Sequence, residues 1–134
     1  MKRNLLIACL TSCILSLISY NADAQQGEWT WMNGDNTPNS PGVFGVKGVS
    51  DPNNTPPALY GAAMWLDGAN NIWLFGGASY FNTLWKYDMS ANEWTWMNGT
   101  IFNSSPGVYG TMGVPDAANT PGARGYGFLS WKDL

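Results

Sequence analysis

The chain contains no histidine, which removes the usual general base near neutral pH and the commonest metal ligand. Its 2 cysteines, Cys9 and Cys13, both lie in an N-terminal apolar run. Charge is scarce as well: 6 Lys and Arg stand against 9 Asp and Glu, a formal net charge of -3. Phosphate backbones demand clustered cations, so nucleic acid is not an expected partner, and no basic amphipathic segment suits a membrane surface. Nothing marks two carboxylates as a catalytic pair; most sit in turn sequences such as Asp67-Gly68. No window carries an uninterrupted helical stripe, because 16 glycines and 8 prolines punctuate the chain too often.

The first residues have the order of an export signal. Lys2 and Arg3 precede a mostly apolar run from Leu5 to Tyr20, and Ala22-Asp23-Ala24 supplies a small-x-small cleavage pattern. The expectation is a signal peptide over 1–24, a mature chain from Gln25, and a secreted, periplasmic or cell-surface location. The run is short for a spanning helix, so no membrane insertion is expected after cleavage. Leu10-Thr11-Ser12-Cys13 resembles a lipidation box, but the apolar run continues past Cys13. Cleavage after Ala24 would remove both cysteines and leave stability to packing alone.

What the chain does have is aromatic weight and an internal repeat. Glu28-Trp29-Thr30-Trp31-Met32-Asn33-Gly34 recurs identically as Glu93-Trp94-Thr95-Trp96-Met97-Asn98-Gly99, an offset of 65 residues. Ser40-Pro41-Gly42-Val43-Phe44-Gly45 returns at the same offset as Ser105-Pro106-Gly107-Val108-Tyr109-Gly110, and Asn54-Thr55-Pro56 as Asn119-Thr120-Pro121. Between the copies the pattern is that of strands. A small apolar run, Tyr60 to Leu66, ends at Asp67-Gly68; Ile72-Trp73-Leu74-Phe75 ends at a glycine pair; Leu84 to Asp88 alternates; and Trp94 and Trp96 share a face. The reading is all-β, with four antiparallel strands near 59–66, 71–76, 83–88 and 93–97.

That four-strand unit resembles a kelch repeat, one blade of a β-propeller, and is similar to repeats in the central domain of galactose-oxidase-like proteins. The elements of the signature stand in order: the apolar run into Gly76-Gly77, then Tyr87, then Trp94 after six residues. The resemblance implies a partial propeller. A last strand of one blade lies over 28–33, a long linker over 34–58, a complete blade over 59–98, a second linker over 99–123, and a first strand of the next blade over 124–132. The period exceeds the roughly 50 residues of a kelch unit, the surplus lying in the linkers. Gly76, Gly77, Tyr87 and Trp94 are read as structural: glycines where backbone must approach closely, aromatics wedged between sheets. The copper chemistry of galactose oxidases needs histidines and a cysteine that this chain cannot supply. No cofactor and no metal are therefore expected. The oxygens of Asp35, Asn36, Asp51, Asn53 and Asn54 match no EF-hand spacing, and Asn98 and Asn103 head weak glycosylation patterns.

Strand parity puts both linkers at the sheet edge that carries the loop Ala78-Ser79-Tyr80-Phe81-Asn82. The repeated motif inside each linker predicts a defined shape, a surface excursion pinned by Phe44 and Tyr109. Tyr80, Phe81 and Asn82 form the candidate ligand platform, two aromatics and an amide suited to a sugar ring. The expected function is a non-catalytic binding or scaffold module for carbohydrate or protein. Further blades of a longer chain, or other copies of this one, are the expected structural partners. The alternatives are an N-terminal piece of a kelch-type sugar-modifying enzyme and a structural repeat of a large surface protein.

Overall fold

A computed structural model describes residues 29–125 and Leu129. The expected signal peptide and most of the expected strand 124–132 lie outside the described residues. From Trp31 onward the chain forms one compact unit. It is all-β, with no helix among the described residues, built on one antiparallel five-stranded sheet. The strands are β1 (Ser50–Asp51), β2 (Ala63–Leu66), β3 (Ile72–Phe75), β4 (Leu84–Asp88) and β5 (Glu93–Asn98), in the spatial order β1-β5-β4-β3-β2.

The turns explain the register. At the β2–β3 turn, the Asp67 carboxylate accepts from the Ala69 and Asn71 amides, the Asn71 side chain and the Trp73 indole, at 2.8–2.9 Å. The left-handed position is taken by Asn70 (φ 63°), a residue type that tolerates it. Asp88 plays the same part before β5, accepting from the Ser90 and Ala91 amides and the Ser90 hydroxyl, with Asn92 left-handed at φ 58°. Strand β2 starts later than the apolar run suggests, because Gly61 turns the chain at φ 65° and leaves Tyr60 71% exposed.

Opposed residues share a face, so the register writes two rows across the sheet. Met64, Leu74, Trp85 and Trp96 form one, and Leu66, Ile72, Tyr87 and Trp94 the other. At the β5 end these rows close into a core: Trp85 is fully buried, Tyr87 packs on Trp94 at 4.9 Å, and Trp85 meets Trp94 edge-on at 6.4 Å. At the β2 end they stay open, Met64 being 62% and Leu66 53% exposed. The reverse face carries Trp65 stacked on Trp73 at 6.2 Å. Both faces of one sheet thus carry aromatic side chains, the reverse row continuing through Lys86 and Thr95.

The predicted close approach at the glycine pair is observed. Gly77 has φ 106°, and a Cβ there would lie 3.2 Å from that of Ala62 and 3.3 Å from the Tyr60 oxygen. Alanine would be strained on both counts.

The largest departure from the sequence reading is β1, which lies inside the 34–58 linker and pairs with β5. Residues 34–58 are therefore part of the sheet's edge. Phe44 seats on Trp85 (5.1 Å) and Trp96 (5.3 Å), the Lys47 ammonium sits 4.5 Å from the Trp96 ring centroid, and the Gly48 amide donates to the Trp96 oxygen. Asn54, 1% exposed, donates from Nδ2 to the oxygens of Val49 and Trp94, both at 3.0 Å.

The 99–123 linker repeats this internal architecture. The bridge Val43–Thr55 recurs as Val108–Thr120, the bond from Ala58 to Ser40 as Ala123 to Ser105, and the Asn54–Val49 bond as Asn119–Val114. In both copies a glycine, Gly45 or Gly110, lies so close to the asparagine side-chain oxygen that a Cβ would collide with it. What the second copy lacks, among the described residues, is a strand to lie against. Tyr109, expected to pin the linker as Phe44 does, is 67% exposed. The strand expected over 28–33 is likewise not formed at residues 29–33, which have no partner strand among the described residues.

Candidate functional site

The loop joining β3 to β4 is where both linkers converge. Strand β3 ends at the glycine pair, and Ala78, 3% exposed, is held by its amide on the Tyr60 oxygen. The chain then turns through Ser79 (φ 82°) and Tyr80 (φ 56°), two consecutive non-glycine residues in the left-handed region. Such residues carry a conformational cost of the order of 1–3 kcal/mol each and persist only where the surroundings enforce them. Here the surroundings are the second linker: Ser104 donates to the Tyr80 oxygen at 2.6 Å, and Arg124 to the Phe81 oxygen at 3.2 Å. Ser104 is itself left-handed, at φ 54°.

Asn82 does not belong to an open platform. It is 1% exposed; Nδ2 donates to the Pro121 oxygen, and Oδ1 accepts from the Thr100 amide and hydroxyl. Its amide is spent on tying the loop to the linker, so the expectation that it faces a ligand together with Tyr80 and Phe81 fails on burial. Tyr80 remains 52% exposed, one side of its ring resting on Gly125, and Phe81 is half-buried.

Phe81 lines a mostly polar cleft of about 230 Å³ with Asn39, Ser40, Pro41, Pro57, Ala58, Ser79 and Asn103. All three long segments contribute: the first linker, the β3–β4 loop and the second linker. Ser40 is fixed from behind, its hydroxyl donating to Asp35 at 2.9 Å. The Asp35 carboxyl is held below its ordinary range, chiefly by the Thr37 amide, then by the Thr37 and Ser40 side chains. The sequence singled out Phe81 and set both linkers at this edge; beside it the cleft is lined by Asn39, which carried no signal, Ser40, seen only as part of the repeat, and Asn103, seen only as a glycosylation pattern.

Gly76 (φ 65°) and Gly77 are buried, Tyr87 is 7% exposed and donates to Asn92 Oδ1 at 2.6 Å, and Trp94 packs against Tyr87. No group of three or more His, Cys, Asp or Glu that could hold a metal lies among the described residues. The oxygens of Asp35 and Asp51 and the amide of Asn54 serve turns and the linker clasp instead. No helix among the described residues is long and apolar enough to cross a membrane.

No family model, no curated protein and no solved structure matches this chain.

Proposed function

We propose that the chain is a secreted, non-catalytic binding module: a kelch-type propeller blade whose β3–β4 loop and flanking linkers form a carbohydrate-binding edge. The order Gly76-Gly77, Tyr87, Trp94 supports the blade, as does a sheet with aromatics on both faces, since a propeller blade packs on both sides. The open end of the sheet, an apolar hollow of about 400 Å³ lined by Met64, Trp65, Leu66, Ile72 and Met89, suits a neighbouring sheet. Ala22-Asp23-Ala24 after an apolar run supports secretion.

The observation that carries the binding reading is the cleft. Asn39, Ser40, Ser79 and Asn103 line the cleft together with Phe81, and Tyr80 is exposed next to it in sequence. A sugar ring asks for hydroxyl partners around its edge and an apolar platform under its face. The volume falls below the roughly 300–1,000 Å³ of drug-sized pockets, the scale of one sugar residue. The strained backbone at Ser79 and Tyr80 leads directly into Phe81, which lines the cleft.

A glycan array probed with the mature chain, followed by titration of the best ligand, tests the reading. Binding should fall about tenfold in Tyr80→Ala and in Ser40→Ala with the sheet intact. An array with no signal, or binding indifferent to both substitutions, would end the carbohydrate reading; capture of a protein instead would redirect it.

A further inference from the structure

The first linker shows what its fold is for: it clasps a strand of sequence Glu-Trp-Thr-Trp-Met-Asn-Gly. Against Glu93–Gly99 it places the β1 pairing, the Gly48 amide on the Trp96 oxygen, the Asn54 amide on the Trp94 oxygen, and Phe44 and Lys47 on the Trp96 ring. Lys47 also donates to the Gly99 oxygen at 2.9 Å, and the Ser50 hydroxyl to Glu93 at 2.6 Å.

The second linker presents the same fold with nothing in its grip among the described residues. Gly113, Asn119 and Tyr109 take the sequence positions of Gly48, Asn54 and Phe44, with the Tyr109 ring lying over Gly107 of its own linker, and Met112, 98% exposed, takes that of Lys47. The chain also carries a second copy of the heptapeptide that the first linker holds, Glu28–Gly34, identical at all seven positions. Within it Trp29 is 99%, Trp31 60% and Met32 61% exposed. Among the described residues, the second clasp holds no strand and residues 29–33 pair with none, Asn33 alone donating from its side chain to the Asn92 oxygen at 2.6 Å.

We infer that the 105–123 clasp of one copy takes the 28–33 strand of a second copy, so that the protein assembles head to tail by strand addition. The ligand is specified by the seated example: aromatic side chains at Trp29 and Trp31 separated by Thr30, with the Trp29 and Trp31 oxygens offered to Asn119 and Gly113. Three side-chain contacts change, the first being the Lys47 bond to the Gly99 oxygen, which Met112 cannot make to Gly34. Pro115 replaces Ser50, losing the hydroxyl bond to the glutamate and also a main-chain donor, a substitution that only an edge strand tolerates. Met112 exchanges the cation over the tryptophan for a thioether, which also favours an aromatic ring. Because strand and clasp are different patches, the contact is heterologous and closes into rings or extends into filaments.

Sedimentation velocity of the mature chain over a range of concentrations tests this. Wild type should self-associate. Trp31→Ala spoils the strand and Met112→Asp spoils the clasp, each weakening association about tenfold or more, while Met112→Lys restores the cation and tightens it about two- to fivefold. Both positions are exposed, so near-ultraviolet circular dichroism should report an unchanged fold. A mixture of Trp31→Ala with Met112→Asp should form a one-to-one heterodimer and stop there, since it holds one good clasp and one good strand. A monomer at every concentration, association indifferent to both variants, or a mixture that stays monomeric would each overturn the inference. A wild-type monomer with slow amide exchange at 29–33 would place the strand within its own chain and overturn the second copy as occupant.

Discussion

The side-chain amide of Asn54 donates to the main-chain oxygen of Trp94 at 3.0 Å, joining a linker to a strand 40 residues further along. That bond, with a second from the same nitrogen to Val49, makes the linker one unit with the sheet. Truncation would leave the Val49 and Trp94 oxygens short of a donor in a site where Asn54 is 1% exposed. Asn54→Ala should cost about 2–3 kcal/mol, and Asn119→Ala, whose only described partner is the Val114 oxygen, less than about 1 kcal/mol. Urea titration of the two variants in dilute solution checks the contrast.

Phe44 and Tyr109 offer a second matched pair. Phe44 rests on Trp85 and Trp96, whereas Tyr109 is 67% exposed. Phe44→Ala should lower stability by about 2–3 kcal/mol through lost burial and aromatic packing. Tyr109→Ala should stay within about 0.5 kcal/mol of wild type. Thermal melts of dilute samples measure both.

Acid should loosen the β2–β3 turn. The Trp73 indole, followed by the Asn71 side chain and amide, holds the Asp67 carboxyl far below its ordinary range. Ser90 chiefly, and then the Ala91 amide, does the same for Asp88. A pKa lower in the folded than in the unfolded chain stabilises above the unfolded value, about 3.9 for aspartate. The contribution is full at neutral pH and disappears as pH falls through the folded values. Stability should be flat between about pH 7 and pH 5 as far as these groups are concerned, then drop. In Asp67→Asn it should be lower at pH 7 and fall less steeply below about pH 4; denaturant midpoints against pH give both slopes.

One buried hydroxyl serves nothing. Thr83 is fully buried and its Oγ1 has no hydrogen-bond partner among the described residues. Valine keeps the shape and removes the unsatisfied group, so Thr83→Val should be neutral or more stable by up to about 1 kcal/mol. Calorimetry decides it.

Much of the sheet was legible in the residues. Strands β3 and β4 follow from an apolar run ending at Gly76-Gly77 and from the alternation Trp85, Lys86, Tyr87. β5 follows from the paired tryptophans around Thr95, which proves 3% exposed. Strand β1 was not legible. Ser50-Asp51 has no apolar periodicity, and its extended state is set by β5, more than 40 residues away. That is tertiary context overriding local preference. Asn54 and Asn82 were misjudged for one reason: an asparagine reads alike in a turn, a site or a clasp until its burial is known. The 65-residue recurrence of Asn54-Thr55-Pro56 was the signal that the linker has a fold.

Amide hydrogen exchange in dilute solution tests most directly whether the linker fold exists to grip that strand. The Gly48 amide donates to the Trp96 oxygen, whereas its counterpart Gly113 has no acceptor among the described residues. Gly48 should exchange slowly and in step with β5, Gly113 rapidly. Equal, rapid exchange at both glycines would contradict the clasp.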